Sequence, residues 1–286
     1  MFFVFLWQQI MRLSAWVFIT DLFPKKKTAF DKFIIDRFIR KSIFQKNTRQ
    51  ILLTLKKSGV DGIELIISSN TNDNDIQKIQ EMLSQLTISV FSVHQSLAKM
   101  FNISVSEVNR LCEVANRLSA KVVVLHINVI GDQIFDEGYI EDLKALEKQY
   151  KIKIAIENMP ISLLSILKTY TWRENEFSSV IKKSGFKITL DSTHLAQAGY
   201  DIIDFYKNNK NQIINIHLSD YKKSFFNTHL LLVHNTHLAL GKGELPIKDF
   251  LQTLKEDQYN GLITMEINGN LDDLCQSAKF IKNIYT

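Results

Sequence analysis

His94, His126, Glu157, Asp191, His217 and Glu266 each stand at or near the C-terminal end of a short apolar run. The pattern is plainest in ITLDSTHLAQAGYD, residues 188–201. There the apolar residues 188–190 stop at Asp191, and His194 follows three residues later. A carboxylate closing a core strand brings charge toward the interior, where it needs a counter-charge or a metal. Imidazole and carboxylate without thiolate are the ligand set of Mn, Mg, Co or Zn, not of a Cys-built structural zinc site. A lone histidine is more often a core or surface residue than a ligand, and structural ion pairs explain two or three such groups. Six groups, one per strand, with His194 and His237 nearby, point to a divalent metal centre. His229 and His234 share the loop of His237 but read as solvated.

The elements that must position these groups alternate along the chain. Strand-like runs rich in β-branched residues fall at 13–19, 62–67, 88–94, 121–127, 152–157, 186–191, 213–218 and 262–267. They are nearly all apolar, as parallel strands buried on both faces are. Between them lie amphipathic segments. NDIQKIQEMLSQL puts Ile76, Ile79, Met82, Leu83 and Leu86 on one face, and SVSEVNRLCEVANRLSA opens with a Ser104-x-x-Glu107 capping box. YIEDLKALEKQY, PIKDFLQTLKED and DLCQSAKFIKNIY follow the same rule. Eight strand–helix units in this length predict a single (β/α)8 TIM barrel, with the six groups on its C-terminal face. An open doubly wound sheet usually carries a Gly-rich turn after an early strand, and no G-x-G-x-x-G occurs here.

Composition agrees with one domain. The 286 residues, 45% hydrophobic, suffice for one large core, and no Pro/Gly/Ser-rich linker divides them. The net charge of +5 permits an anionic ligand without demanding nucleic acid. Cys112 and Cys275 are far apart and lack metal-ligand spacing, so a disulfide framework is not expected and a cytoplasmic location is. The first ten residues, MFFVFLWQQI, are apolar but too short to span a membrane. They read as an extension before a barrel of residues 11–286, with Met11 a candidate start. Residues 24–49 are basic and read as a solvated helical face, with Lys25–Lys27 a weaker candidate for binding a substrate phosphate.

The segments AIEN, DSTHLAQAGYD, NIHLSDY and HLALGKGELPIKDFLQTLKEDQYNGLITMEI resemble the xylose isomerase-like TIM barrels. That superfamily holds sugar and sugar-phosphate isomerases and epimerases together with endonuclease IV, the abasic-site nuclease. The resemblance runs from about Met11 and is strongest from Lys151 onward. It implies one divalent metal held by Glu157, Asp191, His217 and Glu266, with Glu157 and Glu266 also serving as the acid/base pair. It implies a small sugar or sugar phosphate as substrate, no membrane, and allows a homo-oligomer. The alternative, an endonuclease IV-like phosphodiesterase acting on abasic DNA, adds His94, His126, His194 and His237 as further metal ligands. The chain departs from that set where Asn235 stands in place of an aspartate, which removes a charged ligand from a third metal. The HLALGKGELP wording resembles the isomerase side, and Lys242 within it is a candidate substrate ligand, since the barrel's usual phosphate site follows strands seven and eight.

Overall fold

A computed structural model describes residues 11–18, 48–68, 71–96, 103–126, 136–159, 174–224 and 235–285. The N-terminal extension, the basic segment up to residue 47 with Lys25–Lys27, and His229 and His234 lie outside the described residues. Eight parallel strands close into a barrel in chain order: β1 (Arg12–Phe18), β2 (Gly62–Ile66), β3 (Ser89–His94), β4 (Val122–His126), β5 (Lys153–Glu157), β6 (Lys187–Asp191), β7 (Ile213–Leu218) and β8 (Leu262–Met265). β1 pairs with both β2 and β8, so the ring has no edge. The described helices are α1 (Thr48–Lys57), α2 (Asp73–Leu86), α3 (Val105–Arg117), α4 (Glu137–Tyr150), α5 (Glu174–Ser184), α6 (Ser192–Gln197), α7 (Ile202–Asn209), α8 (Ile247–Glu256) and α9 (Leu271–Tyr285).

One apolar layer lies between the strands and the helices. Leu13, Leu65, Val93, Val123, Ile154, Ile156, Ile188, Leu190, Ile216 and Ile263 are fully or almost fully buried in it, with Ile76, Leu111, Phe205 and Leu251 from the helices. Each such side chain contributes about 1.5–3 kcal/mol on burial. The Ser104 box caps α3 as its sequence predicts: Ser104 Oγ accepts from Glu107 N, and Glu107 Oε2 accepts from Ser104 N. Asn72 and Asp75 build a second box at α2. Cys112 and Cys275 are free thiols, and burial pushes the Cys112 thiol up to about 12. Among the described residues no helix is long and apolar enough to cross a membrane.

Two register shifts matter for the interior. In the β2–β3 pairing Val90 opposes Ile63 and Ser92 opposes Glu64, so Phe91 is skipped. In the β6–β7 pairing Ile213 opposes Ile188 and Asn215 opposes Thr189, so Ile214 is skipped. A bulge re-aims the side chains that follow it. Below the bulges Phe91 and Ile214 pack with Val122, Val124, Ala155 and Leu262 in an apolar plug. Above them the interior turns polar. Asn215 Nδ2 and Ser92 Oγ donate to Glu64 Oε2 at 3.0 and 2.7 Å, and Thr264 Oγ1 donates to Asn215 Oδ1 at 2.9 Å. β2 and β7 are not neighbours, so the Glu64–Asn215 bond crosses the barrel.

Candidate metal centre

On the polar layer stand the strand-end groups. Glu157 ends β5, Asp191 ends β6 and His217 is the penultimate residue of β7. Glu266 falls one residue past β8, yet its N–H still donates to Leu218 O on β7 at 3.3 Å, so the strand's path continues through it. One donor atom from each of Glu157, Asp191, His217 and Glu266 lies within 4.8 Å of the others. Ligand atoms about 2.0–2.2 Å from a cation stand about 3–4.4 Å apart, so a small closure completes the polyhedron.

The orientation of these atoms tests whether a cation fits. His217 Nδ1 lies 2.7 Å from Glu266 Oε2 and 3.4 Å from Glu157 Oε2. Neither contact is aligned as a hydrogen bond. His217 Nδ1, Glu157 Oε1, Asp191 Oδ2 and Glu266 Oε2 are all buried with no hydrogen-bond partner. Buried polar atoms are normally paired. Three carboxylates and an imidazole that each offer an atom within 4.8 Å of the others, and each carry a buried atom with no hydrogen-bond partner, suit a divalent cation.

The charges say the same. Burial pushes the Asp191 carboxyl up, and Glu266 and Glu157 reinforce this against the lowering by His194 and His237. Burial works against the ionised form of Glu157 too, but the charges of His126 and His217 outweigh it and hold that carboxyl well below the usual range. At Glu266 burial again opposes ionisation, and His217 and His237 bring the carboxyl down to about 2. Burial lowers His217, but Glu64, Glu157 and Glu266 raise it well above the ordinary imidazole range.

The other predicted histidines surround Glu157. His94 Nδ1 donates to Gln95 O at 2.7 Å, and its Nε2 lies 3.1 Å from Glu157 Oε2. His126 Nε2 is 3.4 Å from the same oxygen, and burial lowers its pKa. His194 lies in the first turn of α6, whose N-cap is Asp191: Asp191 Oδ1 accepts from His194 N at 2.6 Å. His194 Nδ1 donates to Asn158 O at 3.0 Å and lies 3.1 Å from Glu157 Oε1. Three further candidate ligand groups result among the described residues: Glu64–His94–His217, His94–His126–Glu157 and Asp191–His194–His237.

His237 reaches the centre on a loop tied down by Asp220. That buried carboxylate accepts from the backbone N–H of Tyr221, Gly241, Gly243 and Leu245 at 2.8–3.1 Å. Asp220 and Leu238 also form an antiparallel bridge. A side chain at Gly243 would overlap Asp220 and Tyr221 O, so glycine is required by this close approach. Asn235 and His237 both take left-handed backbone, φ 59° and 49°. Asn235 stands at the head of this loop, its carbonyl accepting from Lys222 N. Lys242 is on the surface, paired with Asp273 of α9.

Glu64, fully buried on β2, is the member of the centre that sequence reasoning passed over. Its Oε1 lies 2.9 Å from His217 Nε2. The available signal was a single acid inside the apolar run GIELII. On a strand covered on both faces such a charge must meet a partner.

Known proteins share this architecture. The family model described as xylose isomerase-like TIM barrel matches residues 52–284. An uncharacterized protein of Methanocaldococcus jannaschii is 26% identical over 250 residues, covering 81% of this chain and 91% of the relative. Among solved structures, the IOLI protein with a binding zinc atom superposes with a TM-score of 0.68 at 16% identity, covering 96% of this chain and 98% of that one. A D-tagatose 3-epimerase-like protein gives a TM-score of 0.57 at 22% identity, with 79% and 88% covered. At these identities the two structures speak for the fold. With the family model matching most of its length, the chain belongs to the xylose isomerase-like TIM barrel family.

Proposed function

We propose that this protein is a metal-dependent sugar or sugar-phosphate isomerase or epimerase, with Glu157, Asp191, His217 and Glu266 as ligands of one divalent cation (Mn, Mg, Co or Zn). The observation that carries the proposal is the convergence of four buried groups, each with a polar atom that lacks a hydrogen-bond partner. The epimerase-like and zinc-containing structural neighbours are compatible with it. A cation there would polarise a carbonyl and the adjacent hydroxyl of a sugar and so stabilise an enediolate.

The protein's own groups divide the remaining work. Glu157 is fully buried and held among His94, His126, His194 and His217, which restricts its carboxylate to one orientation. Glu266 is 8% exposed, with His217 and His237 beside it. It is the freer carboxylate and takes the proton α to the carbonyl as the base of the acid/base pair it forms with Glu157. Return of the proton to the neighbouring carbon gives aldose–ketose isomerisation; return on the opposite face of the same carbon gives epimerisation. Lys242, held by Asp273, is available to a substrate phosphate only if that pair opens.

The test is metal content by plasma mass spectrometry on protein purified without chelator, followed by a panel of ketoses and ketose phosphates. About one cation per chain with turnover of a panel member supports the proposal. No metal uptake would end it. A second reading rests on the two extra ligand groups around Glu157 and His194. Two to three zinc ions per chain with cleavage of an abasic-site duplex would establish that reading instead.

Loading should release protons. His217 is held protonated in the metal-free protein by its raised pKa. A cation at Nδ1 must displace that proton, so affinity should rise with pH through the neutral range. Calorimetric titration with Zn²⁺ in two buffers of unlike ionisation enthalpy reads the proton count directly; zero protons released at neutral pH would mean that His217 is already neutral in the metal-free protein.

A further inference from the structure

We infer that Glu64 is a positioning residue that holds His217 in the tautomer and ring orientation a metal ligand needs, without being a ligand itself. The inference rests on the metal-centre reading above. His217 turns Nδ1 toward Glu157 and Glu266 and Nε2 toward Glu64 Oε1, 2.9 Å away. When Nδ1 gives its lone pair to a cation, the ring proton must sit on Nε2. His217 is fully buried, so that N–H needs a protein acceptor. Glu64 Oε1 and His217 Nε2 are both buried and without a hydrogen-bond partner 2.9 Å apart, so a small rotation of the imidazole lets the one accept from the other.

The carboxylate is not free to move away. Its other oxygen, Oε2, accepts from Ser92 of β3 and Asn215 of β7, and Asn215 is fixed by Thr264 of β8. Four strands therefore aim one oxygen at one imidazole nitrogen. The skipped residues Phe91 and Ile214 precede Ser92 and Asn215 by one position, so the two bulges aim the clamp. A carboxylate behind a ligating histidine fixes its tautomer and raises its basicity, and losing such a partner costs about 10–100-fold in metal affinity.

A general structural role for Glu64 would also weaken the centre, so the experiment must route the effect through His217. Zn²⁺ affinity is measured by chelator competition for wild type, Glu64→Gln, His217→Ala and the double variant. Glu64→Gln keeps the side-chain shape and should lose about 10–100-fold in affinity. In the His217→Ala background, where Glu157, Asp191 and Glu266 still offer donors, the same change should leave affinity unaltered. An equal loss in both backgrounds would mean that Glu64 supports the barrel generally and would overturn the inference. Wild-type affinity in Glu64→Gln would overturn it too, while leaving the metal centre intact. A wild-type protein that binds no Zn²⁺ would instead sink the metal reading and this inference together. If Glu64→Gln fails to fold, Ser92→Ala removes one donor from Oε2; its smaller loss should likewise vanish with His217→Ala, and persistence there counts against the inference.

Discussion

Glu266→Gln is expected to lower turnover by about 10²–10⁴-fold, the usual contribution of a positioned proton-transfer group, while leaving the fold intact. The substitution preserves shape and keeps an oxygen near His217, so packing around the end of β8 has little reason to change. It removes the charge that His217 and His237 hold ionised. An amide cannot take a proton from carbon. The assay is run at saturating metal on whichever sugar of the panel is turned over, so that weaker metal binding is separated from lost chemistry. Full activity in this variant would remove Glu266 from the mechanism and leave the proton to another group.

His217→Ala should be the more disruptive change. This imidazole lies within 3.4 Å of three carboxylates: Glu64 at 2.9 Å, Glu266 at 2.7 Å and Glu157 at 3.4 Å. Without metal it is their shared counter-charge, and removing it leaves buried anions uncompensated. Breaking a buried pair from one side costs about 3–5 kcal/mol. The metal-free variant should therefore show a denaturant midpoint lowered to match, and metal content as purified should fall below about one ion per chain, with weaker binding left to the three remaining carboxylates. The sign with pH follows from the raised His217 pKa. The stability it contributes to the metal-free protein is fully present below the ordinary imidazole value and fades as pH rises through the higher folded value. The gap between wild type and variant should accordingly narrow in alkaline solution. Unchanged metal content would mean that β7 does not supply a ligand.

Much of this centre was legible in the sequence because a parallel barrel couples position to place. Once eight apolar runs alternate with helices, whatever ends each run arrives at one face. Glu157, Asp191, His217 and Glu266 each lie at or beside the end of their runs, and their convergence follows from the topology. Asp191 and His194 were readable together for a local reason: a carboxylate before a helix caps it, and the cap fixes the third residue beyond.

Glu64 was not legible in that way. It lies mid-strand on β2, and its partner is on β7, across a barrel that pairs each strand only with its neighbours. Which interior residues meet depends on strand tilt and register, and a one-residue slip reverses a strand's faces. Phe91 and Ile214 make such slips in β3 and β7, and nothing in VFSVH or IINIHL marks them in advance. The same holds for Lys242, whose Asp273 partner comes from another helix, and for the loop of His237, whose path Asp220 sets. Strand ends and helix caps are properties of neighbouring residues, so the chain's order determined the fold and which groups end the strands, while the choice of four of them as proposed ligands came from the family resemblance. The support beneath them is built by groups distant in sequence, because hydrogen bonds and charge pairing act through space, and only the closed barrel decided which of them touch.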